Sequence, residues 1–348
     1  MTRILVTGFE PFGGHSRNIS QDVTHSLPVT FRLDDPWEEL RESPHDSLNV
    51  EIEKRILSVD GEGSLEVSTA IRDGEQWDAI LHLGLCESCE IPRLEILAQD
   101  CINMKIPDNS GRQLSQQSIT GQGNISVEVP VESWMSRAWP MSCELSQDAG
   151  TFLCNETLYR TLAALEAVSK GKKSITPCLF VHLPPSEKCT IDSAREFVQE
   201  VLRRMMFKPV LSVVAALISR DDKYLAARRS ASEKHSGMWE FPGGKVEPNE
   251  SKKRALEREL LEEFGWSMKC ENSVGTWFHS LTNVDIALHV LPAYFNGELP
   301  NLNDKNLWTA HDEITWRTLD DDSHLDWLGN DASVVEWMKE TNYLVKSR

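Results

Sequence analysis

At 348 residues, with 40% hydrophobic and 26% charged positions, the chain reads as a globular protein too long for one ordinary domain, and two are expected. A formal net charge of −18 argues against a nucleic-acid polymer as partner, because a phosphate backbone is held by a basic face. The longest apolar runs, such as 213–218, have only strand length, which argues against a membrane span or a membrane partner.

The stretch Arg3-Ile4-Leu5-Val6-Thr7-Gly8 reads as a buried strand. It begins almost at once, leaves no room for a leader and implies a cytoplasmic protein. Eight cysteines are then expected as reduced thiols, Cys86 and Cys89 among them, since no second CxxC or histidine pair follows at zinc spacing. Further strands are predicted at Ala79 to Leu83 and Pro177 to Leu183, and helices at Leu153 to Ala167 and Ile191 to Met206. Such alternation predicts an α/β/α domain around a mostly parallel sheet. Residues 31–75 and 108–148 show no legible period.

Lys208-Pro209 stops the last helix of this part, and Leu211 to Ile218 opens a new strand. Ser219 to Lys223 supplies a hairpin turn into Tyr224 to Ala227. The expected domains are therefore 1–207 and 208–348.

In the first domain, Gly8-Phe9-Glu10-Pro11-Phe12-Gly13-Gly14 follows the opening strand with two aromatics in place of a dinucleotide-binding fingerprint. Cys154 stands near a predicted helix start, where unsatisfied N–H groups favour a thiolate, and His182 stands near a strand end, able to act as base. Spacing alone favours the bland reading of Cys154 as a small buried hydrophobe. The motifs, however, resemble pyroglutamyl peptidase I, the pyrrolidone carboxyl peptidase family. Thr-Gly-Phe-Glu-Pro-Phe-Gly-Gly, the segment Gln147 to Cys154, Phe180-Val181-His182-Leu183-Pro184-Pro185 and Ile106-Pro107-Asp108-Asn109 carry the resemblance. It implies a catalytic triad of Cys154, His182 and Glu95, the last placed eleven residues before Ile106, with Phe9 and Phe12 sandwiching a pyroglutamyl ring. The implied substrates are peptides with an N-terminal pyroglutamate. Lys105, Asn18-Ile19 and Ser88-Cys89 depart from the family pattern, which usually has Arg, Asn-Pro and Gly-Arg there.

In the second domain, Glu259, Glu262 and Glu263 fall at i, i+3 and i+4 of a predicted helix that starts at Pro248-Asn249 and closes at Gly265. Their carboxylates share one face, repel one another, and suit a hard divalent cation. A lone acidic cluster would be a solvated face, but this one follows a glycine loop. Gly244, Glu250, Arg258, Glu259, Glu262, Glu263 and Gly265 together resemble the Nudix box. With Arg228-Arg229 and Trp239-Glu240-Phe241-Pro242-Gly243-Gly244-Lys245 ahead of it, the segment is similar to the MutT-like branch of Nudix hydrolases, which implies an α/β/α sandwich. The resemblance implies Mg²⁺, or Mn²⁺, held by the Gly244 carbonyl with Glu259, Glu262 and Glu263, the same carboxylates being catalytic. Arg229 would contact phosphates, Glu240 would border the substrate, and Asp331 would read the base edge. The implied reaction is hydrolysis of a nucleoside triphosphate, 8-oxo-dGTP or a related compound, to monophosphate and pyrophosphate. Where the branch often has a further glutamate this chain has Ala310, followed by His311, Asp312 and Glu313, so the general base is left open. The alternative keeps catalysis in the second domain only and makes the first a regulatory, binding or homo-oligomerising module.

Overall fold

The computed structural model describes residues 2–169, 175–297, 301, 302, 304–321 and 324–344. The chain divides into two compact units, Met1–Pro36 with His45–Trp134 and Trp139–Phe207, and Trp37–Pro44 with Met135–Ala138 and Lys208–Arg348. Among the described residues no helix is long and apolar enough to cross a membrane.

The first unit runs β1 (Thr2–Phe9), α1 (Ile19–Ser26), β2 (Thr30–Leu33), β3 (Leu48–Leu57), α2 (Gly61–Arg72), β4 (Ala79–Leu85), β5 (Arg93–Glu95), β6 (Leu97–Ala98), β7 (Ile125–Ser126), α3 (Val131–Trp134), β8 (Glu144–Ser146), α4 (Leu153–Val168), β9 (Cys178–Leu183) and α5 (Ile191–Met206). Seven strands form one sheet in the order β2-β3-β1-β4-β9-β5-β8, whose centre, β3 to β9, is parallel. Ile4, Leu5 and Val6 are all fully buried, as a central parallel strand covered on both faces requires. Leu5, Ile80 and Phe180 join Val67 and Ile71 of α2 and Leu158 and Leu165 of α4 in one core. Helices α1 and α5 pair with each other elsewhere, against β1 and β4. Helices are held at their starts by side chains: Asp60 accepts from the Gly63 N–H and Thr190 from the Ser193 N–H.

The second unit runs β10 (Val210–Leu217), β11 (Ser219–Arg220), β12 (Lys223–Arg229), β13 (Trp239–Glu240), β14 (Gly243–Lys245), α6 (Lys252–Phe264), β15 (Met268–Cys270), β16 (Gly275–Ser280), β17 (Asp285–Phe295), β18 (His311–Thr318) and α7 (Asp331–Thr341). One sheet has the order β14-β10-β17-β15 with β16 also on β17, and the other joins β11, β12 and β13 with β18 on β12. Alternation along β10 serves two helices. Val214 and Ala216 lie in the core with Leu256 and Leu260 of α6, while Ala215 and Leu217 lie with Val334 and Met338 of α7. The result is an α/β/α sandwich. The turn between β11 and β12 places Asp221 and Asp222 at φ 49° and 58°, the left-handed pair that a tight two-residue hairpin demands.

Helix α6 corrects one expectation. It is capped by Ser251, which accepts from the Arg254 N–H, whereas Asn249 stands in a left-handed turn before it at φ 64°. Its other end is as expected: Gly265 at φ 71° closes the helix through its N–H to Leu260 and Leu261.

Two candidate active sites

In open α/β sheets ligands gather outside the carboxyl ends of the strands. Phe9 ends β1, Leu85 ends β4, and His182 is next to last in β9. Antiparallel pairing sets Arg93 opposite His182 and Glu95 opposite Phe180. Glu95 and His182 are thus diagonal neighbours on one sheet face, within reach of long side chains. Glu95 Oε1 lies 2.7 Å from His182 Nδ1, with the carboxylate side chain fully buried. The other side of the imidazole hydrogen-bonds Cys154, the second residue of α4. Burial alone would lower the His182 pKa, but the Cys154 thiolate and Glu95 outweigh it and push it up to about 9. The ring therefore holds its proton near neutral pH, beside the Cys154 sulfur at a helix N-terminus. Gly84, opposite His182 in β4, keeps the approach open. A Cβ there would lie 2.7 Å from the Phe180 ring and 3.1 Å from Cys154 Sγ.

Cys154 and His182 line a cavity of about 420 Å³ together with Phe9, Phe12, Phe152 and Cys86. Phe12 and Phe152 sit with ring centroids 5.2 Å apart. The loop carrying Phe9 and Phe12 is fastened by Glu10, whose Oε1 accepts from Asn109 Nδ2 at 2.8 Å and from the Val59 N–H at 3.1 Å. Two of the sequence motifs thus meet physically, one holding the other. Next to them Asp108, Arg112, Glu156 and Arg160 form a chain of ion pairs that anchors the first turns of α4. The expectation of reduced thiols fails at Cys86 and Cys89, which form a disulfide on the cavity wall where the family pattern has Gly-Arg at 88 and 89. The loop after β4 brings their Cα atoms within 5.4 Å, inside bonding range, although the spacing pointed to no partner.

In the second unit, β14 lies antiparallel on β10, with Gly244 opposite Val214. A Cβ on Gly243 would strike the Val214 carbonyl at 2.0 Å, and one on Gly244 would lie 2.3 Å from the Glu259 carboxyl carbon. Only glycines let this loop lie beneath the carboxylates. Arg258 binds Glu250 with two nitrogens, at 3.1 and 3.0 Å, and reaches Glu259 at 3.0 Å and Glu262 at 3.1 Å. It remains firmly protonated among them. Glu263 Oε2 is buried with no hydrogen-bond partner. Burial, then Glu240 and Glu259, push the Glu263 pKa up to about 8.

Arg229 gives one nitrogen to Glu240 Oε1 at 2.7 Å and another to Glu233 at 3.3 Å. Glu240 Oε1 also meets His311 Nε2 at 2.9 Å. Asp331 begins α7, buried, with Oδ1 lacking a hydrogen-bond partner. Burial, then Glu240, raise its pKa well above the usual carboxylate range. His311 and the disulfide escaped the sequence reading as site features. The residue after Ala310 was the available signal for the first, and CxxC for the second.

The residues suit a divalent cation. An orphaned buried carboxylate oxygen, a glycine cradle that a Cβ would fill, and an all-oxygen donor set are what such an ion requires. Among the described residues no three His, Cys, Asp or Glu side chains are already drawn to one point.

The first unit is thus an α/β domain bearing a cysteine-hydrolase constellation, and the second a sandwich bearing a glycine-loop carboxylate helix. The pyroglutamyl peptidase family model matches residues 2–218, more than half of the chain, and the NUDIX domain model matches 208–338. The chain belongs to the pyroglutamyl peptidase family and carries a NUDIX domain behind it. It is 26% identical over 196 residues to the pyrrolidone-carboxylate peptidase of Enterococcus faecalis, covering 55% of this chain and 82% of that protein. It is 57% identical over 56 residues to the CTP pyrophosphohydrolase of Escherichia coli, covering 16% of this chain and 42% of that relative. A solved pyrrolidone carboxyl peptidase from Thermus thermophilus is 30% identical, with 58% of this chain and 95% of that one covered and a TM-score of 0.42.

Proposed function

We propose that the chain is a bifunctional hydrolase with domains at 1–207 and 208–348. The first removes N-terminal pyroglutamate, and the second cleaves a nucleoside triphosphate to monophosphate and pyrophosphate. The observation that supports the first activity best is the Glu95–His182–Cys154 relay opening on a cavity walled by Phe9 and Phe12. The Cys154 sulfur attacks the pyroglutamyl carbonyl carbon, and the C–N bond breaks as His182 gives its proton to the leaving amine. Water, losing a proton to His182, then splits the thioester and releases pyroglutamate. Glu95 orients the imidazole throughout.

The pH dependence follows from His182. Its raised value stabilises the folded chain fully below the ordinary histidine pKa of about 6.5, and that contribution is lost as pH rises through about 9. Amide release should fall along the same basic limb, because the ring then lacks the proton for the amine. A kcat/KM profile still level one unit above that value would remove His182 as the donor.

In the second domain Glu259, Glu262, Glu263 and the Gly244 carbonyl hold Mg²⁺ or Mn²⁺. When bound, the ion polarises a phosphoryl oxygen and offsets the clustered negative charge. Arg229, exchanging its bond to Glu240 or Glu233, contacts phosphate. The buried Asp331 reads the base edge. A screen for pyrophosphate release with CTP, 8-oxo-dGTP and the common nucleotides tests this reading directly. Asp331→Ala should lower kcat/KM for the preferred nucleotide by about 10-fold or more, and much less for poor ones. Equal loss across the panel would indicate damage to the fold, and no loss would move base recognition elsewhere.

A further inference from the structure

The pairing of β12 with β18 is regular from Lys223↔Thr318 to Arg228↔Glu313 and then shifts, so that Arg229 stands opposite His311. Asp312 is the extra residue of a bulge. Ile314 and Trp316 face the core beneath α6, so strict alternation would turn Asp312 inward and His311 to solvent. The bulge reverses this, as bulges beside active sites commonly do. Asp312 turns out to Arg228, at 2.8 Å, and the His311 side chain becomes fully buried, stacked 4.7 Å from the Phe264 ring. Ala310 gives its carbonyl to the Ser230 N–H.

From that position the imidazole touches two acids. Nε2 meets Glu240 Oε1, which also holds Arg229, and Nδ1 faces Glu263 Oε2 at 3.7 Å, an ion-pair distance. Nδ1 and Oε2 are both buried, and neither has a hydrogen-bond partner. Each is the other's complement.

We infer that His311 is a positioning residue for the cation end of the Nudix site. It ties Glu263 through Glu240 to Arg229 and takes the inward place that strict alternation would give Asp312. Partners that orient a carboxylate ligand are worth about 10–100-fold in metal affinity or activity. The inference rests on the proposed reading of Glu263 as a metal ligand.

The test is Mn²⁺ binding to the full chain, read from the electron paramagnetic resonance of the free ion, without substrate. His311→Phe fills the space and keeps the stacking on Phe264. It should weaken Mn²⁺ binding by about 10–100-fold. Asn places an amide near Nδ1 and Gln places one near Nε2. His311→Asn should recover most of the loss, and His311→Gln should stay near the Phe variant. Turnover of the Phe variant should recover partly as Mg²⁺ is raised, which a merely space-filling role would not produce. Unchanged affinity in His311→Phe overturns the inference, as does recovery by Gln but not Asn. Should the Phe variant fail to fold, the Asn and Gln pair decides alone. A wild type that binds no Mn²⁺ overturns the metal reading along with it. Wild-type binding with an indifferent Phe variant overturns this inference only.

Discussion

Cys154→Ser should reduce release of a chromogenic amine from a pyroglutamyl amide by roughly 10³-fold or more, with nucleotide hydrolysis unchanged. The size follows from the geometry. His182 is buried between Glu95 and the sulfur, and both neighbours help to hold its proton there. A serine alkoxide is far harder to form near neutral pH, so the substitution removes the nucleophile. Alkylation of wild type should have the same effect, while Glu95→Gln should be milder, since the acid chiefly orients the ring. Wild type that folds, hydrolyses nucleotides and yet releases no amine would make the triad a relic. The first domain would then be a binding or oligomerising module, and the disulfide at 86 and 89 the first place to look.

Glu262→Gln should lower Mg²⁺-dependent nucleotide hydrolysis by about 10²-fold or more while amide release stays at the wild-type level. Among the three helix carboxylates Glu262 is the exposed one, with its side chain 58% accessible. The fold loses only an i,i+4 pair with Arg258, at most about 0.5 kcal/mol. A large change in activity with almost none in melting temperature therefore isolates the chemistry. Turnover in excess EDTA equal to that in Mg²⁺ would defeat the prediction.

The sequence was most legible where one face of an element is buried. α5 runs Ile191–Met206, as its apolar period predicts, and the strands at β1, β4 and β9 follow apolar runs. Residues 31–75 resisted because β3 is a strand with charged side chains. The alternation of Leu48, Val50 and Ile52 breaks off at Lys54, and Glu53 and Arg55 lie in an ion-pair cluster with Arg3 and Glu75. Residues 108–148 contain strands of two or three residues and loops held by side chains such as Asp108, which no period records. Glu95 sits on a three-residue strand and could be found only by motif spacing. His311 could not be placed by alternation at all, since a single bulged residue inverts which neighbour faces inward.

The disulfide of Cys86 and Cys89 has a consequence at the bench. It closes a loop three residues apart in sequence, too short to contribute more than about 2 kcal/mol through chain entropy. Its effect is therefore local, on the wall that faces Cys154. Of the remaining thiols Cys178, Cys189 and Cys270 are buried, leaving Cys101, Cys143 and Cys154 open to a labelling reagent in the folded chain. Any reductant added to protect the Cys154 sulfur also severs that wall. Assays with and without reductant therefore compare two states of the cavity wall, and intact mass after alkylation tells which preparation was measured.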